Sequence, residues 1–187
     1  MVITDMKIFT IIKEHSSRIP EKNFADVNGK PLWWHLLYEL NGLDVTVNTD
    51  SPKFLKELKS SNFKPLQVIN RDQKHIKWEN DKSIDSSPVE DMLFDFCKTI
   101  DNSEIVVLTH VTSPFLKKET ILKAVETLQN DLKAKSIHSV SQVQDFVWLK
   151  KDSQVSPVNF FTNRVQRTQD LQPIFVSKGA FFIAKAG

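Results

Sequence analysis

The chain has 187 residues, 40% of them hydrophobic, which is enough for one packed core and somewhat short for two, so we expect a single domain over residues 1–187. Its formal net charge of +2 leaves no broad basic field, so general DNA or RNA binding is not indicated. Cys97 is the only cysteine and no apolar stretch approaches the roughly twenty residues that span a bilayer, so we expect a soluble cytoplasmic protein without disulfides or a membrane partner.

The first predicted element is a strand over residues 6 to 12, M-K-I-F-T-I-I, whose β-branched and aromatic residues are typical of a buried strand. A cationic, hydroxyl-rich loop follows the strand, within I-I-K-E-H-S-S-R-I-P-E-K-N over residues 11–23. Several positive charges and hydrogen-bond donors in so small a volume favour a polyanion such as phosphate. A solvated polar loop without a ligand explains the composition equally well. The candidate donors are Lys13, Ser16, Ser17, Arg18, Lys22 and Asn23.

The next segments alternate between helical and strand patterns. A segment from Pro31 carries leucines at helical spacing until Gly42, which predicts a helix. V-T-V-N-T-D over 45–50 predicts a second strand, and L-Q-V-I over 66–69 predicts a third. The apolar residues Phe54, Leu55 and Leu58 predict a short helix between these two strands.

A further helix is predicted from Ser87 as its N-cap, with Pro88 at the first helical position and Glu90 closing a capping box. Cys97 lies beside the apolar face of this helix, which favours a packed thiol over a reactive one. Then E-I-V-V-L-T predicts a continuously apolar central strand. An amphipathic helix with Ile121, Leu122, Val125, Leu128 and Leu132, and a strand over 136–140, complete the alternation.

Alternating strands and helices predict a three-layer α/β/α fold with a Rossmann-like, mainly parallel sheet. Ligands of such sheets bind at the carboxyl ends of the strands, which draws attention to the loops after Ile12, Asn48 and Leu108. Asp50 ends a strand at this edge, where it either serves the site or makes a loop hydrogen bond. From about 142 to 173 the alternation weakens among scattered aromatic residues, which suits either a partner surface or an irregular segment covering the core.

Several segments of the chain, taken in order, match the conserved segments of one known family. I-I-K-E-H-S-S-R-I-P-E-K-N-F is similar to the family's phosphate loop with R-I-P-x-K-N, and N-G-K-P-L follows it as in the family. V-T-V-N-T-D resembles a strand ending in S-T-D, and V-V-L-T-H-V-T-S-P-F-L resembles L-L-Q-P-T-S-P-L. N-R-V-Q-R-T-Q-D-L-Q-P-I-F-V-S-K-G-A-F-F-I resembles Q-R-x-Q-D-x-P-x-x-Y-x-x-N-G-A. The order and spacing agree over essentially the whole chain, so the sequence resembles the acylneuraminate (sialic-acid type) cytidylyltransferases.

The resemblance implies transfer of CMP from CTP to an acidic sugar, sialic acid or a related nonulosonic acid, with release of pyrophosphate, for surface glycan synthesis. It implies Mg²⁺ as cofactor and a homodimer formed through the excursion over 142–173. Arg18 and Lys22 fall on the family's catalytic positions. The implied nucleotide-binding residues are Lys13, Ser16, Ser17, Arg18, Lys22, Asn23 and Arg71, and the implied sugar-binding residues are His110, Thr112, Ser113, Arg167 and Gln169.

Three departures from the family pattern keep alternatives open. The loop lacks the family's paired glycines and has Lys13, Glu14 and His15 instead, so Glu14 must point away from a bound triphosphate. His110 replaces a glutamine, and either contacts the sugar as a neutral ring or takes part in proton transfer. The family's D-x-D metal motif has no counterpart, so we expect the chain to lack the family's carboxyl-terminal part. A nucleotide- or sugar-binding homologue without catalysis, and a nucleotidyltransferase for another sugar, are the alternatives.

Other kinds of site are not indicated by the sequence. The histidines show no metal-ligand spacing, so a zinc site is not expected. Trp33, Trp34 and His35 belong to an amphipathic helix and are interpreted as packing residues. No G-x-S-x-G motif or Cys-His pairing points to nucleophilic catalysis.

Overall fold

A computed structural model describes residues 6–16, 19–63, 67–81, 83–84, 87–164 and 166–187. The chain divides into two compact units, the first formed by Met1–His138 with Ala180–Gly187 and the second by Ser139–Gly179. The segment 142–173 lies in the second unit, and its role in dimerisation stays a prediction, as does a single nucleotidyltransferase domain. None of the described helices has the length and apolar character needed to cross a membrane.

The described residues form ten strands and five α-helices. The strands are β1 (Met6–Ile11), β2 (Asp26–Val27), β3 (Lys30–Pro31), β4 (Val45–Thr49), β5 (Gln67–Asn70), β6 (Ile105–Thr109), β7 (Ser136–Val143), β8 (Trp148–Lys151), β9 (Gln154–Pro157) and β10 (Ile174–Lys185). The helices are α1 (Leu32–Glu39), α2 (Pro52–Ser60), α3 (Gln73–Asn80), α4 (Val89–Cys97) and α5 (Lys118–Asn130). Short 3-10 helices span Lys22–Phe24 and Thr168–Asp170.

Six of these strands form one sheet in the order β5-β4-β1-β6-β10-β7. The neighbours β5, β4, β1 and β6 run parallel, and β10 runs antiparallel to β6, which confirms the predicted mainly parallel sheet. Ile11 lies opposite Asn48, and Thr10 lies opposite Thr109. The loops that follow β1, β4 and β6 therefore leave from the same edge of the sheet, where ligands of this fold class bind.

Neighbouring residues of a strand point to opposite sides of the sheet, and both sides of β1 carry apolar residues that pack against helices. Ile8 of β1 belongs to a buried cluster that includes residues of α1, α2 and α5. Phe9, the next residue, belongs to a second cluster with Phe96 of α4, and the two rings stack with centroids 4.8 Å apart. Cys97 packs at the edge of this second cluster, and burial raises the pKa of its thiol, as expected for a packed cysteine.

One helix was not expected from the sequence, and two sequence-based expectations about helices are wrong. Helix α3 was not expected, because His75 is its one buried residue and no apolar periodicity marks it. Ser87 is not the N-cap of α4, since the carbonyl of Pro88 accepts the first helical hydrogen bond, from the backbone nitrogen of Met92 at 2.9 Å, and no side chain caps the helix. Leu132 lies beyond the end of α5 and is 95% exposed, so it does not belong to the apolar face.

The second unit contains an antiparallel pair, β8 and β9, that the weak pattern of this region did not indicate. The ring of Phe160 makes edge-to-face contacts with Phe146 and Trp148, at centroid distances of 5.0 and 4.8 Å. The side-chain amide of Asn159 donates to the carbonyl oxygens of Asp145 and Gln172, at 2.9 and 3.0 Å. These contacts connect the ends of the segment around the hairpin.

Candidate functional site

A cavity of about 250 Å³ opens at the edge where β1, β4 and β5 end. Its lining residues come from the loops after these strands and from α3: Lys13, His15, Ser16, Asp50, Arg71, Ile76, Glu79 and Asn80. A larger groove of about 580 Å³ lies between α1 and α2 and is lined by Trp34, Tyr38 and Phe63, among others. None of the described residues in the loops after β1, β4 and β5 lines that groove, so the smaller cavity is the candidate site.

Arg71 is the buried cation of the cavity, with a side chain only 2% exposed. Its Nη2 donates to Oε2 of Glu79 at 2.5 Å, and its Nη1 lies 3.8 Å from Oδ1 of Asp50. The Nε atom is buried and has no partner among the described residues. Burial lowers the pKa of Arg71 and the charge of Asp50 opposes this effect, but a guanidinium stays protonated at any physiological pH. The cavity therefore contains a permanent positive charge with unused donor capacity.

Lys13 adds a second positive charge to the same cavity, and its ammonium group pairs with Oε1 of Glu79. Burial lowers the pKa of Lys13, and the charges of Arg71 and Lys22 lower it further. Glu79 thus contacts both cations, one with each carboxylate oxygen. The two cations repel each other, so the carboxylate of Glu79, or another anion in its place, is favourable between them.

Side chains hold the loop after β1 in place. The amide of the buried Asn23 donates to the carbonyl oxygen of Lys13 at 2.8 Å, and the hydroxyl of Thr49 donates to the carbonyl oxygen of Ile12 at 2.5 Å. Ser16 lines the cavity, and its hydroxyl is buried without a partner among the described residues. The hydrogen bonds from Asn23 and Thr49 thus fix the loop, which contains no glycine.

Glu14 does not line the cavity, because its Oε2 accepts a hydrogen bond from the hydroxyl of Ser51 at 2.7 Å. This bond is the main reason why the pKa of Glu14 is lowered. Ser51 also caps α2, since its hydroxyl oxygen accepts from the backbone nitrogen of Phe54 at 3.0 Å. The carboxylate that the sequence places next to the phosphate-loop residues is thus held at the start of α2.

The loop after β6 positions three of the predicted sugar-binding residues. Burial lowers the pKa of the half-buried His110, and the charge of Lys22 lowers it further, so the ring is neutral at pH 7. The charge of Lys22 thus affects Lys13 in the loop after β1 as well as His110 in the loop after β6. The backbone nitrogen of Ser113 donates to the carbonyl oxygen of His110 at 3.1 Å, which forms a turn that leaves Thr112 exposed.

The remaining predicted site residues are placed elsewhere or lie outside the description. Arg167 belongs to the second unit, where its Nε and Nη2 donate to Asp170 at 2.7 and 3.1 Å. The carbonyl oxygen of Gln169 accepts from the side chain of Gln144 at 3.1 Å in the same unit. Their sugar-binding role stays a prediction. Ser17 and Arg18 lie outside the described residues.

Glu79 is the site residue that the sequence reasoning missed. It lies eight positions after Arg71 on the unexpected helix α3, and no motif marks it. The role of Glu79 depends on where α3 packs. The polar composition of this segment is the only hint in the sequence, and it does not distinguish Glu79 from the acidic residues near it.

A second ionic cluster joins α3 to α4. The Nε2 atom of His75 lies 2.8 Å from Oδ2 of Asp91, and one ligand atom each from His75, Asp91 and Asp95 lies within 4.8 Å of the others. The ammonium of Lys74 lies 2.5 Å from Asp95 and 3.3 Å from Asp91, and that of Lys98 lies 3.0 Å from Asp95. Because lysines already balance these carboxylates, the cluster serves as a brace between two helices.

Two solved structures illustrate the likeness in fold. One is CMP:2-keto-3-deoxy-manno-octonic acid synthetase complexed with CTP, with a TM-score of 0.65 and 14% identity over 98% of this chain and 75% of that chain. Another is 4-diphosphocytidyl-2C-methyl-D-erythritol synthase from Anaerococcus prevotii, with a TM-score of 0.58 and 15% identity over 96% of this chain and 71% of that chain. At these identities the likeness concerns the fold alone, a Rossmann-like α/β fold with a mainly parallel sheet.

The family follows from the sequence comparison. The family model described as cytidylyltransferase matches residues 14–172, so the chain belongs to the cytidylyltransferase family. The N-acylneuraminate cytidylyltransferase of Streptococcus agalactiae serotype V is 28% identical over 196 residues, which cover 96% of this chain and 43% of that protein. The proteins of the same name from serotypes III and Ia match to the same extent. The resemblance noted in the sequence is confirmed, and the chain spans less than half the length of these curated relatives.

Proposed function

We propose that the protein is a cytoplasmic cytidylyltransferase that transfers CMP from CTP to an acidic sugar and releases pyrophosphate. The observation that carries this proposal is the cavity at the carboxyl edge of the parallel sheet, where Lys13 and the buried Arg71 converge with the hydroxyl of Ser16. Membership of the family supports the nucleotide, and the name of the streptococcal relatives supports a sugar of the acylneuraminate class.

In the proposed reaction a hydroxyl oxygen of the sugar attacks the α-phosphorus of CTP. A new phosphorus–oxygen bond forms to the sugar, the bond between the α-phosphorus and the bridging oxygen breaks, and pyrophosphate leaves with that oxygen. The hydroxyl proton passes to solvent. Such transfers depend mainly on positioning and charge stabilisation, so Lys13, Lys22 and Arg71 act by neutralising the triphosphate. Arg18, Ser17 and Asn23 are proposed to complete the nucleotide contacts.

The acidic sugar is proposed to bind near the loop after β6. His110 is neutral at pH 7, so it suits a hydrogen bond to a sugar hydroxyl better than a charge pair with the carboxylate. Thr112 and Ser113 offer further hydroxyl contacts. Arg167 has the planar fork that suits a carboxylate, and Gln169 accompanies it; we propose both for recognition of the sugar's acid group.

Magnesium remains part of the proposal as the ion that accompanies CTP. Mg²⁺ needs near-octahedral oxygen ligands and usually takes one or two carboxylates together with substrate phosphates. The carboxylates that line the described cavity, Asp50 and Glu79, both face Arg71. This donor set does not fit a magnesium site, and no step is assigned to an ion bound by these residues.

Pyrophosphate release tests the proposal, using protein expressed from its complete gene, CTP, Mg²⁺ and a panel of acidic sugars. Turnover with at least one sugar is expected, and Arg18→Ala or Lys22→Ala should lower it by about 10² to 10³-fold, as for the loss of other transition-state charge contacts. Lys123→Ala, which removes an exposed lysine of α5, is the matched control and should retain full activity. Failure to bind CTP would refute the activity proposed from the family.

A second function is favoured by one observation: residues 11–23 contain no glycine, so backbone amides cannot approach phosphate as closely as a glycine loop allows. In this alternative the protein binds CTP or the sugar without catalysis. Tight CTP binding in calorimetry with no pyrophosphate release for any sugar would favour it over the enzyme.

We further propose that the protein forms a homodimer through residues 142–173. The support is the exposure of large aromatic side chains in this segment, with Trp148 51% and Phe161 68% exposed. Light scattering coupled to size-exclusion chromatography should give twice the chain mass, and Trp148→Ser with Phe161→Ser should shift the protein to monomer. A monomeric wild type would refute this proposal.

A further inference from the structure

We propose that Glu79 is an internal substitute for a nucleotide phosphate: it neutralises Lys13 and Arg71 in the free protein and leaves them when nucleotide binds. The inference rests on the proposed function, because it assigns the cavity to the nucleotide's phosphates. Its basis is the arrangement of one carboxylate between two cations, with Oε1 on Lys13 and Oε2 on Nη2 of Arg71. A phosphate group presents two or three oxygens to such a pair in the same way.

The buried guanidinium explains why the free protein needs this carboxylate. The side chain of Arg71 is 2% exposed, and a buried charge without a partner is strongly unfavourable. Asp50 does not replace Glu79 in this role, since its Oδ1 lies 3.8 Å from Nη1, beyond hydrogen-bond distance. Removal of Glu79 therefore leaves Arg71 with Asp50, at 3.8 Å, as its nearest carboxylate among the described residues, and without a charged hydrogen-bond acceptor until an anion arrives.

Glu79 rather than Arg71 is the group that can move. The backbone nitrogen of Arg71 donates to the carbonyl oxygen of Thr49 at 3.0 Å, which ties the arginine to the end of β4. Glu79 lies in the last turn of the exposed helix α3, and its side chain is 29% exposed. A rotation about its side-chain bonds takes the carboxylate to solvent without any change in the backbone.

The charge balance makes exchange necessary for tight binding. Among the described residues that line the cavity, Lys13 and Arg71 are opposed by Asp50 and Glu79. A triphosphate that enters this arrangement meets two carboxylates as well as two cations, and like charges at close range disfavour each other. Loss of the Glu79 charge therefore strengthens nucleotide binding. If Glu79 merely oriented Arg71 for the nucleotide, loss of its charge would weaken nucleotide binding instead.

The test compares wild type, Glu79→Gln and Glu126→Gln by isothermal titration calorimetry with CTP and, separately, with inorganic tripolyphosphate. Glu126 is an exposed acid on α5 and controls for the change in net charge. Glu79→Gln should bind both ligands about tenfold more tightly, the effect of removing roughly one pK unit of like-charge interaction, while Glu126→Gln matches wild type. An unchanged or weaker affinity of Glu79→Gln for tripolyphosphate would overturn the inference.

Thermal unfolding keeps the test decisive if the variant is less stable. Glu79→Gln should melt below wild type when free and gain a larger increase in melting temperature from tripolyphosphate; an equal gain would count against the inference. The two ligands separate this inference from the proposed function. If tripolyphosphate binds Glu79→Gln more tightly but no variant binds CTP, the activity proposed from the family fails and the role of Glu79 as an anion substitute stands. If neither ligand binds any variant, both fail.

Discussion

Replacing Ser51 with alanine tests how the start of α2 is stabilised. The hydroxyl of Ser51 is fully buried, accepts from the backbone nitrogen of Phe54 at 3.0 Å and donates to Glu14 at 2.7 Å. Loss of an N-cap side chain costs about 1 kcal/mol and up to about 2 kcal/mol. The bond to Glu14 adds less, because that residue is only partly buried and its carboxylate is screened by solvent. The cap therefore accounts for most of the expected loss in the free energy of unfolding.

Urea unfolding monitored by circular dichroism measures this loss directly. A loss of 1 kcal/mol corresponds to a fall in melting temperature of about 2 to 4 °C for a chain of this size, which thermal unfolding checks independently. Ser60→Ala is the matched control at the other end of the same helix, where the hydroxyl donates to the carbonyl oxygen of Glu57 at 2.9 Å in an exposed position. Glu14→Gln isolates the second bond and should change stability little. If Ser51→Ala and Ser60→Ala unfold at the same urea concentration, the capping argument is refuted.

Three further predictions concern the core and the titrating groups. Phe96→Ala should lower the free energy of unfolding, measured in urea, by about 3 to 5 kcal/mol, because it leaves a cavity where a buried ring was. Phe94→Ala, at a ring that is 62% exposed, should have little effect. Equal losses would contradict the packing. Hydrogen bonds from Lys74 and then Lys98 lower the pKa of Asp95 to about 2, so NMR titration of Lys74→Ala should show this pKa rising towards its usual value. The low pKa stabilises the fold above the ordinary carboxyl pKa, and this stabilisation is lost as the pH falls through about 2; it should be smaller in the variant. An unchanged titration would refute the pairing. Burial lowers the pKa of His110, so the contribution of its neutral ring to the stability of the fold is complete above about pH 6.5 and is lost as the pH falls through the lower folded-state pKa. His110→Asn should therefore flatten the fall in melting temperature below pH 6.5. An unaltered slope would argue against this burial effect.

The sequence predicted the elements whose side chains repeat with a clear period. Strand β6 has five consecutive buried residues, and α1 carries buried leucines at helical spacing, so burial on folding is written directly into the pattern. Helix α3 escaped prediction because it has one buried residue, His75, and no apolar face, while ionic contacts of Lys74 and His75 connect it to α4. The weak pattern of the second unit likewise concealed the hairpin of β8 and β9, whose residues are almost all exposed.

The candidate site was predictable in its cations but not in their partners. A run of basic residues at a strand end indicates an anion site whatever the exact geometry, so Lys13 could be chosen from the sequence. The pairing of Glu14 with Ser51 joins residues 37 positions apart, and it depends on the register between β1 and β4. The contact between Glu79 and Arg71 depends in turn on the packing of α3. Side-chain directions of this kind follow from tertiary structure, which a local pattern does not encode.

The two acids near the strand-end loop have opposite arrangements, and this bears on how a loop without glycine can accept phosphate. Glu14 is held at the start of α2, so it does not compete for the cations, while Glu79 pairs with them from a partly exposed side chain on α3. The loop itself is fixed by the side chain of Asn23 rather than by glycine turns. If the proposed nucleotide site is right, phosphate binding relies on the charges of side chains, with Arg71 buried among them. Binding through charges is screened by salt, whereas binding through backbone amides is less so, and the affinity for CTP should accordingly fall more steeply with ionic strength than in a glycine-loop relative.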